Sequence, residues 1–477
     1  VKALTVPAAL LLAAVVSGCG PPLDAGRPAQ QAPAFYVPGL PYFYSEVDVD
    51  LPPGVTPDTA APELQVNLLL YVPNASLSFL KAPDGYEARF DVTTLVTDPE
   101  TGETLRERSW TEQSVESRFE DTRLYNPHII TRSVVVPPGR YDLEIRVQDL
   151  DNRKQVVRRH RVEVADLRAR GVLTGMVRLE GRRTDGTVEP AIVNTIRRST
   201  DSLRLRATLL TLRPPVRLEG SLHVLRVPVD TTVALPPYTN PTMGALILTE
   251  FIGLGGADTV HTARWSVSSE GKRTELEVRI PNLPAGVYRI DAGGAMEGER
   301  LDRTAYRWSR WFAVRSQDYP RPATLDDLVE ALRYIATERE WLAIDSVSNP
   351  RERKRRFDQF WVTLAGSGPA AANLLKTYYG RVQEANLFFS AHKEGWRTDR
   401  GMVYIVLGPP PVVERRLEDE VWRYGAMDDD PLTTFAFRRG VSSVAGVPFE
   451  NHVLNRQFYY DRIWVRGVER WRSGRIF

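Results

Sequence analysis

The sequence predicts a multidomain chain, mainly β as far as residue 318 and α+β from there to its end. Three observations carry that prediction. Apolar residues alternate with period two from about Tyr42 to Arg315, and a Pro-x-Gly-x-Tyr turn occurs twice within that stretch. Near Tyr319-Pro320 the apolar period lengthens to that of a helix.

Residues 1–18 read as an export signal. Lys2 is followed by Leu4 to Val16, apolar apart from Thr5 and the break at Pro7. The run is shorter than the roughly 20 residues a permanent membrane helix needs and has the dimensions of a signal-peptide core. Val16-Ser17-Gly18-Cys19 comes next and resembles the lipobox of bacterial lipoproteins. The resemblance implies cleavage before Cys19 and lipid on its thiol, with the membrane as the first partner. Under the enterobacterial sorting rule, Gly20 points to the outer membrane. The expectation is an exported chain, lipid-anchored in the cell envelope. Cys19 is the only cysteine, so no internal disulfide and no multi-thiolate metal site can form.

Residues 19–41, rich in Pro, Ala, Gly and Gln without periodicity, read as a tether. The chain is 26% charged with a net charge of +2, which argues against a nucleic-acid partner.

Alternation is plainest where Tyr141, Leu143, Ile145 and Val147 interleave with Asp142, Glu144 and Arg146, and again at Leu276, Val278 and Ile280. The turn Pro137-Pro138-Gly139-Arg140-Tyr141 is echoed by Pro284-Ala285-Gly286-Val287-Tyr288. A tyrosine after such a turn looks like the late strand of an immunoglobulin-like β-sandwich. Two such modules are expected, over residues 42–167 and 168–318.

Residues 319–477 form the third region. Thr324 and Asp327 resemble a capping box ahead of an apolar helical face running from Leu325 to Ala336. Asn349-Pro350 starts a second helix with Phe357, Phe360, Trp361 and Leu364 as its stripe, and a third runs from about Pro369 to His392. Strands are expected at Met402–Leu407, Val412–Arg416, Val421–Tyr424 and Thr433–Arg438, with a closing helix from Ile463 to Trp471.

Within this region Glu384-Ala385-Asn386-Leu387-Phe388-Phe389-Ser390 leads into Glu394-Gly395-Trp396-Arg397-Thr398-Asp399-Arg400-Gly401 and then Met402 to Pro410. Phe360-Trp361, Tyr378 to Val382 and Glu420 to Tyr424 flank it in order. The set resembles the GWxTD domain, found near the C-terminus of exported bacterial proteins. The resemblance implies no reaction and no ligand.

The signature residues read physically as a helix-to-strand corner. Gly395 ends the third helix in a left-handed conformation, Trp396 anchors the turn in the core, and Thr398 and Asp399 bond nearby amides. Arg400 pairs with Asp399 or a buried carbonyl, and Gly401 admits the chain to a strand. The alternative reading makes these residues a ligand site.

No catalytic residue, metal site or cofactor is assigned. The six histidines are scattered, and no Gly-x-Ser-x-Gly, His-Glu-x-x-His or phosphate-binding glycine loop is present. Glu418-Asp419-Glu420 and Asp428-Asp429-Asp430 leave open a hydrolase acting on glycan or peptide, which requires two carboxylates such as Asp399 and Glu420 to share a pocket. The basic run Arg351 to Arg356 reads as a solvated helix face or a contact for anionic lipid or an acidic partner. The favoured reading is a non-enzymatic binding or assembly module with an envelope protein partner, residues 319–477 being the recognition unit.

Overall fold

Alternating sequence becomes paired strand through most of the first region in the computed structural model. The structure describes residues 43–475 apart from 56–62, 124–126, 184, 192–194, 198–201, 213–215, 240–255, 298–305, 323, 416–418, 426–429, 441–448 and 450. The expected signal (1–18), Cys19 and the rest of the tether (19–41) lie outside the described residues.

The first set of strands is β1 (Tyr44–Asp50), β2 (Leu64–Pro73), β3 (Leu80–Ala82), β4 (Gly85–Thr97), β5 (Thr104–Glu116), β6 (Pro127–Val136), β7 (Gly139–Asp149) and β8 (Gln155–Val164). They form two sheets, β1-β2-β6 and β3-β4-β7-β8 with β5 added to β4. Period-two sequence puts Tyr141, Leu143, Ile145 and Val147 on one face, where they share a single core with Leu64, Val66, Leu68 and Leu70 of β2.

A short helix, α1 (Leu167–Arg170), leads to β9 (Val172–Arg182), β10 (Val188–Pro190), β11 (Thr195–Arg197), β12 (Ser202–Thr211), β13 (Val216–Val227), β14 (Asp258–Ser269), β15 (Arg273–Ile280), β16 (Gly286–Met296) and β17 (Tyr306–Arg315). Their sheets, β10-β9-β12-β15 and β11-β17-β16-β13-β14, close on a second core containing Leu205, Leu222, Tyr288 and Phe312. The echoed turns have the same geometry: the Tyr141 hydroxyl donates to Pro137 O at 2.8 Å and the Tyr288 hydroxyl donates to Pro284 O at 2.8 Å. Ion pairs Arg273–Asp50 (2.7 Å) and Arg310–Glu46 (3.2 Å) join the two sets of strands.

The C-terminal region is helix-rich and carries one small sheet. Its helices are α2 (Leu325–Ala331), α3 (Glu338–Asp345), α4 (Pro350–Ala365), α5 (Gly368–Phe389), α6 (Asp399–Leu407) and α7 (Asp461–Arg472). The antiparallel sheet runs β18 (Val412–Arg415), β19 (Asp419–Arg423), β20 (Thr434–Arg439), β21 (His452–Leu454). The Thr324–Asp327 capping box starts α2, and Asn349 caps α4 by accepting from the amides of Arg351 and Glu352. The first helical face is shorter than its periodicity suggests. It ends after one 3₁₀ turn at Leu332–Tyr334, and a second capping box, Thr337 with Glu340, opens α3.

Met402–Leu407, expected as a strand, is helix α6. Every residue from Gly401 to Val406 is buried, so no polar face marks a helical period in the sequence. An apolar run of that length fits either state. Thr398 decides it by capping the helix, and Gly408 ends it at φ 89°.

Five of the tryptophans after residue 320 (Trp361, Trp396, Trp422, Trp464 and Trp471) are buried in the C-terminal core, and Trp341 packs against it. Trp471 stands edge-on to Tyr378 at 5.0 Å, and its indole N–H donates to Val406 O at 3.0 Å. Among the described residues no helix is long and apolar enough to cross a membrane.

Candidate functional site: the turn between α5 and α6

Two glycines set the geometry of the signature. A Cβ on Gly395 would lie 1.8 Å from Ala385 O in α5, and one on Gly401 would lie 1.9 Å from Gly395 O. The α5 backbone, the Gly395–Arg397 3₁₀ turn and the first turn of α6 therefore stack with no room for side chains between them. This corrects the expected role of Gly395. It does not end α5 in a left-handed conformation: Ser390 follows the last helical residue, Phe389, in extended geometry. Gly395 is required by close approach rather than by backbone freedom. The Ser390 hydroxyl accepts from its amide at 2.8 Å.

Trp396 is 1% exposed. Its amide donates to Asn386 Oδ1 (3.2 Å), its indole N–H to Glu394 (2.9 Å), and its carbonyl accepts from the Tyr334 hydroxyl (2.7 Å). Burial pushes the Tyr334 hydroxyl pKa well up, so that group is a proton donor at any ordinary pH. The Arg397 guanidinium lies 4.3 Å over the Trp396 ring and pairs with Glu330 at 2.6 Å.

Thr398 caps α6. Its hydroxyl accepts from the Gly401 amide (3.1 Å) and donates to Gly395 O (2.7 Å), closing the turn on itself. Asp399, at the first position of α6, faces the small sheet. It takes two bonds from Arg456 (2.5 and 3.1 Å) and one from the Leu454 amide (2.7 Å). Arg400 pairs with Glu420 at 3.4 Å, not with Asp399, and lies 5.2 Å over the Phe389 ring. Gly401 enters a helix, not a strand. The corner is thus helix-to-helix.

Residues 302–473 match the family model of the GWxTD domain. The chain carries a GWxTD domain. No curated protein matches the chain. Among solved structures, a red sea bream transglutaminase matches at 8% identity and a TM-score of 0.16, over 57% of this chain and 31% of its own. A DUF4785 family protein of Legionella pneumophila matches at 11% identity and a TM-score of 0.17, over 57% of this chain and 56% of its own. The C-terminal domain of a Streptococcus agalactiae AgI/II polypeptide matches at 10% identity and a TM-score of 0.15, over 57% of this chain and 100% of its own. This chain thus spans less than two thirds of the first two.

The structure brings Gly395, Trp396, Thr398, Asp399, Arg400 and Gly401 of the GWxTD domain together where the 3₁₀ turn meets α6, and the side chains of Trp396, Thr398, Asp399 and Arg400 bond within the fold. The carboxylates named for a hydrolase each face an arginine: Asp399 faces Arg456, and Glu420 faces Arg400 while accepting the Trp422 indole N–H at 2.6 Å. Glu418, Asp428 and Asp429 lie outside the described residues; Asp430 accepts from the Leu432 amide at 3.0 Å. The basic run is largely neutralised on its own surface, with Arg353 on Asp326 and Asp345, Lys354 on Asp358, and Arg355 and Arg356 on Glu352.

Sequence reasoning missed what reaches the GWxTD turn from far away. Arg315, buried at the end of β17, donates to Ala391 O (2.5 Å) and Lys393 O (3.4 Å); burial holds its pKa below the usual arginine value. Arg456 and the segment 230–237 also meet the turn. No local signal announces any of these, since each is set by tertiary packing.

Proposed function

We propose that this chain is an exported envelope protein, lipid-anchored through Cys19 and residing in the outer membrane. Its β-rich region serves as two immunoglobulin-like modules, and its GWxTD domain acts as a non-enzymatic binding or assembly unit for an envelope protein partner. The matching tyrosine corners at Tyr141 and Tyr288, each in a pair of sheets around one core, support the immunoglobulin-like reading. Val16-Ser17-Gly18-Cys19 supports the anchor.

One observation carries the binding reading. Signature side chains bond within the fold, while the surface along the turn receives residues 230–237 through main-chain hydrogen bonds, two arginines and Lys393. Main-chain hydrogen bonds with pockets for a few side chains are a recurring mode of peptide recognition.

Affinity capture of the native protein from solubilised membranes, with Cys19→Ala in parallel, tests both halves. The wild type should fractionate with membranes and return a consistent envelope protein through residues 320–477, and Cys19→Ala should be released or left uncleaved. Recovery of random neighbours alone contradicts the binding role. A Cys19→Ala chain that still fractionates as a mature lipoprotein contradicts the anchor.

A further inference from the structure

We infer that the face of the GWxTD domain beside its signature turn is a groove for extended, proline-containing peptide segments bearing an acidic side chain, and that residues 230–238 fill it in cis. The inference rests on the binding reading above and names the class of partner.

The strand β13 ends at Val227 and its successor β14 begins at Asp258. Instead of turning back at once, the chain crosses to the GWxTD domain, stiffened by Pro228, Pro236 and Pro237. Its carboxylate Asp230 accepts from Lys393 Nζ at 2.8 Å, and the same ammonium donates to Thr232 O at 2.9 Å. Arg397 donates to Thr231 O (3.2 Å), and its own carbonyl accepts from the Ala234 amide (3.1 Å). Arg456 donates to Leu235 O (3.1 Å), and the Gln457 amide donates to Pro237 O (3.2 Å). Val233 and Ala234 pack against the C-terminal core. Apart from Asp230 and the two small apolar side chains, the segment is read through its backbone, as extended peptides are.

Two of the receiving side chains are held by partners outside the segment, whereas Lys393 takes its ion pair from Asp230. Glu330 fixes Arg397 at 2.6 Å, and Asp399 fixes Arg456 at 2.5 Å. A groove so pre-organised loses little freedom when a new segment enters. On the receiving side the cis segment leaves Phe458 uncovered, at 76% exposure. A partner segment with greater apolar reach would cover it.

The test measures fluorescence anisotropy of a labelled synthetic peptide spanning residues 228–239 against the full chain. An Asp230→Ala/Val233→Asp chain, whose own segment is weakened, should bind the peptide about tenfold more tightly than the wild type, because the cis segment competes less well. Asp230→Ala alone removes a single ion pair and should give a smaller gain in the same direction. A peptide carrying the same two changes should lose binding. Equal binding by the weakened and wild-type chains, or by the altered and unaltered peptides, would overturn the inference. The assay uses the purified chain alone, so its failure removes the peptide groove and leaves capture in cells to decide the binding reading.

Discussion

Arg456 holds Asp399 by two hydrogen bonds, at 2.5 and 3.1 Å, across 57 residues of sequence. Both side chains are nearly buried, at 11% and 10% exposure, and Asp399 also accepts the Leu454 amide. The pair ties the start of α6 to the edge of the small sheet. Removing one partner strands the other charge. Asp399→Ala should therefore destabilise the chain by about 3–5 kcal/mol, and a double-mutant cycle with Arg456→Ala should return coupling of at least about 1 kcal/mol. Urea denaturation measures both. Additive effects would mean the pair is not coupled.

The glycines predict a sharp contrast. Gly395→Ala and Gly401→Ala each bring a Cβ against backbone oxygen, at 1.8 and 1.9 Å, and nothing there can move aside as a flexible side chain would. Each should cost more than about 3 kcal/mol or prevent folding of the C-terminal region. Gly380, inside α5 with nothing within 4 Å of where a Cβ would sit, should behave oppositely. Gly380→Ala should stabilise by about 0.5–1 kcal/mol, read from thermal and chemical unfolding.

The two tyrosine corners should be worth the same. Tyr141→Phe and Tyr288→Phe each delete one hydroxyl-to-carbonyl bond of 2.8 Å. The expected loss is about 0.5–1.5 kcal/mol in either set of strands. Calorimetry of the two variants checks the equivalence, and a loss at one site only would contradict it.

Acid should weaken the fold in two separable windows. Burial, aided by Lys393, holds His392 at a pKa of about 3, below its ordinary 6.5. The folded state thus resists the proton that the unfolded chain accepts. Its contribution is complete above pH 6.5 and is lost as pH falls towards 3. Glu340, held down to about 2 by hydrogen bonds from Arg472, contributes fully above its ordinary 4.5 and loses that contribution below it. Between about pH 6.5 and 5 Glu340 is silent, while His392 acts alongside His128, which burial also holds down. His392→Gln should therefore reduce the slope of the stability profile there and leave the fall due to Glu340 in place. An unchanged slope in the upper window would contradict this.

Much of the fold is written locally. Tyr141 to Val147 alternates because one face of β7 is buried, and Thr324, Asn349 and Pro350 mark helix starts through caps that need only their neighbours. Met402 to Leu407 misleads for the opposite reason: a helix buried on every side keeps no polar face, and only the Thr398-x-x-Gly401 cap separates it from a strand. The location of the signature is legible in the sequence, whereas its wiring is not. Arg456, Lys393 and Asp230 look like ordinary solvated charges until tertiary packing brings them to the turn.

On the proposed reading, the GWxTD domain presents its binding surface along one side of the signature turn, through Lys393, Arg397 and Arg456. A photo-crosslinking residue at position 458, exposed beside the cis segment, decides the point when compared in cells with one at Leu80, exposed in the β region. The expected result is a discrete protein adduct from position 458 that is absent from position 80 and diminished by excess 228–239 peptide. The same diffuse set of neighbours from both positions would contradict it.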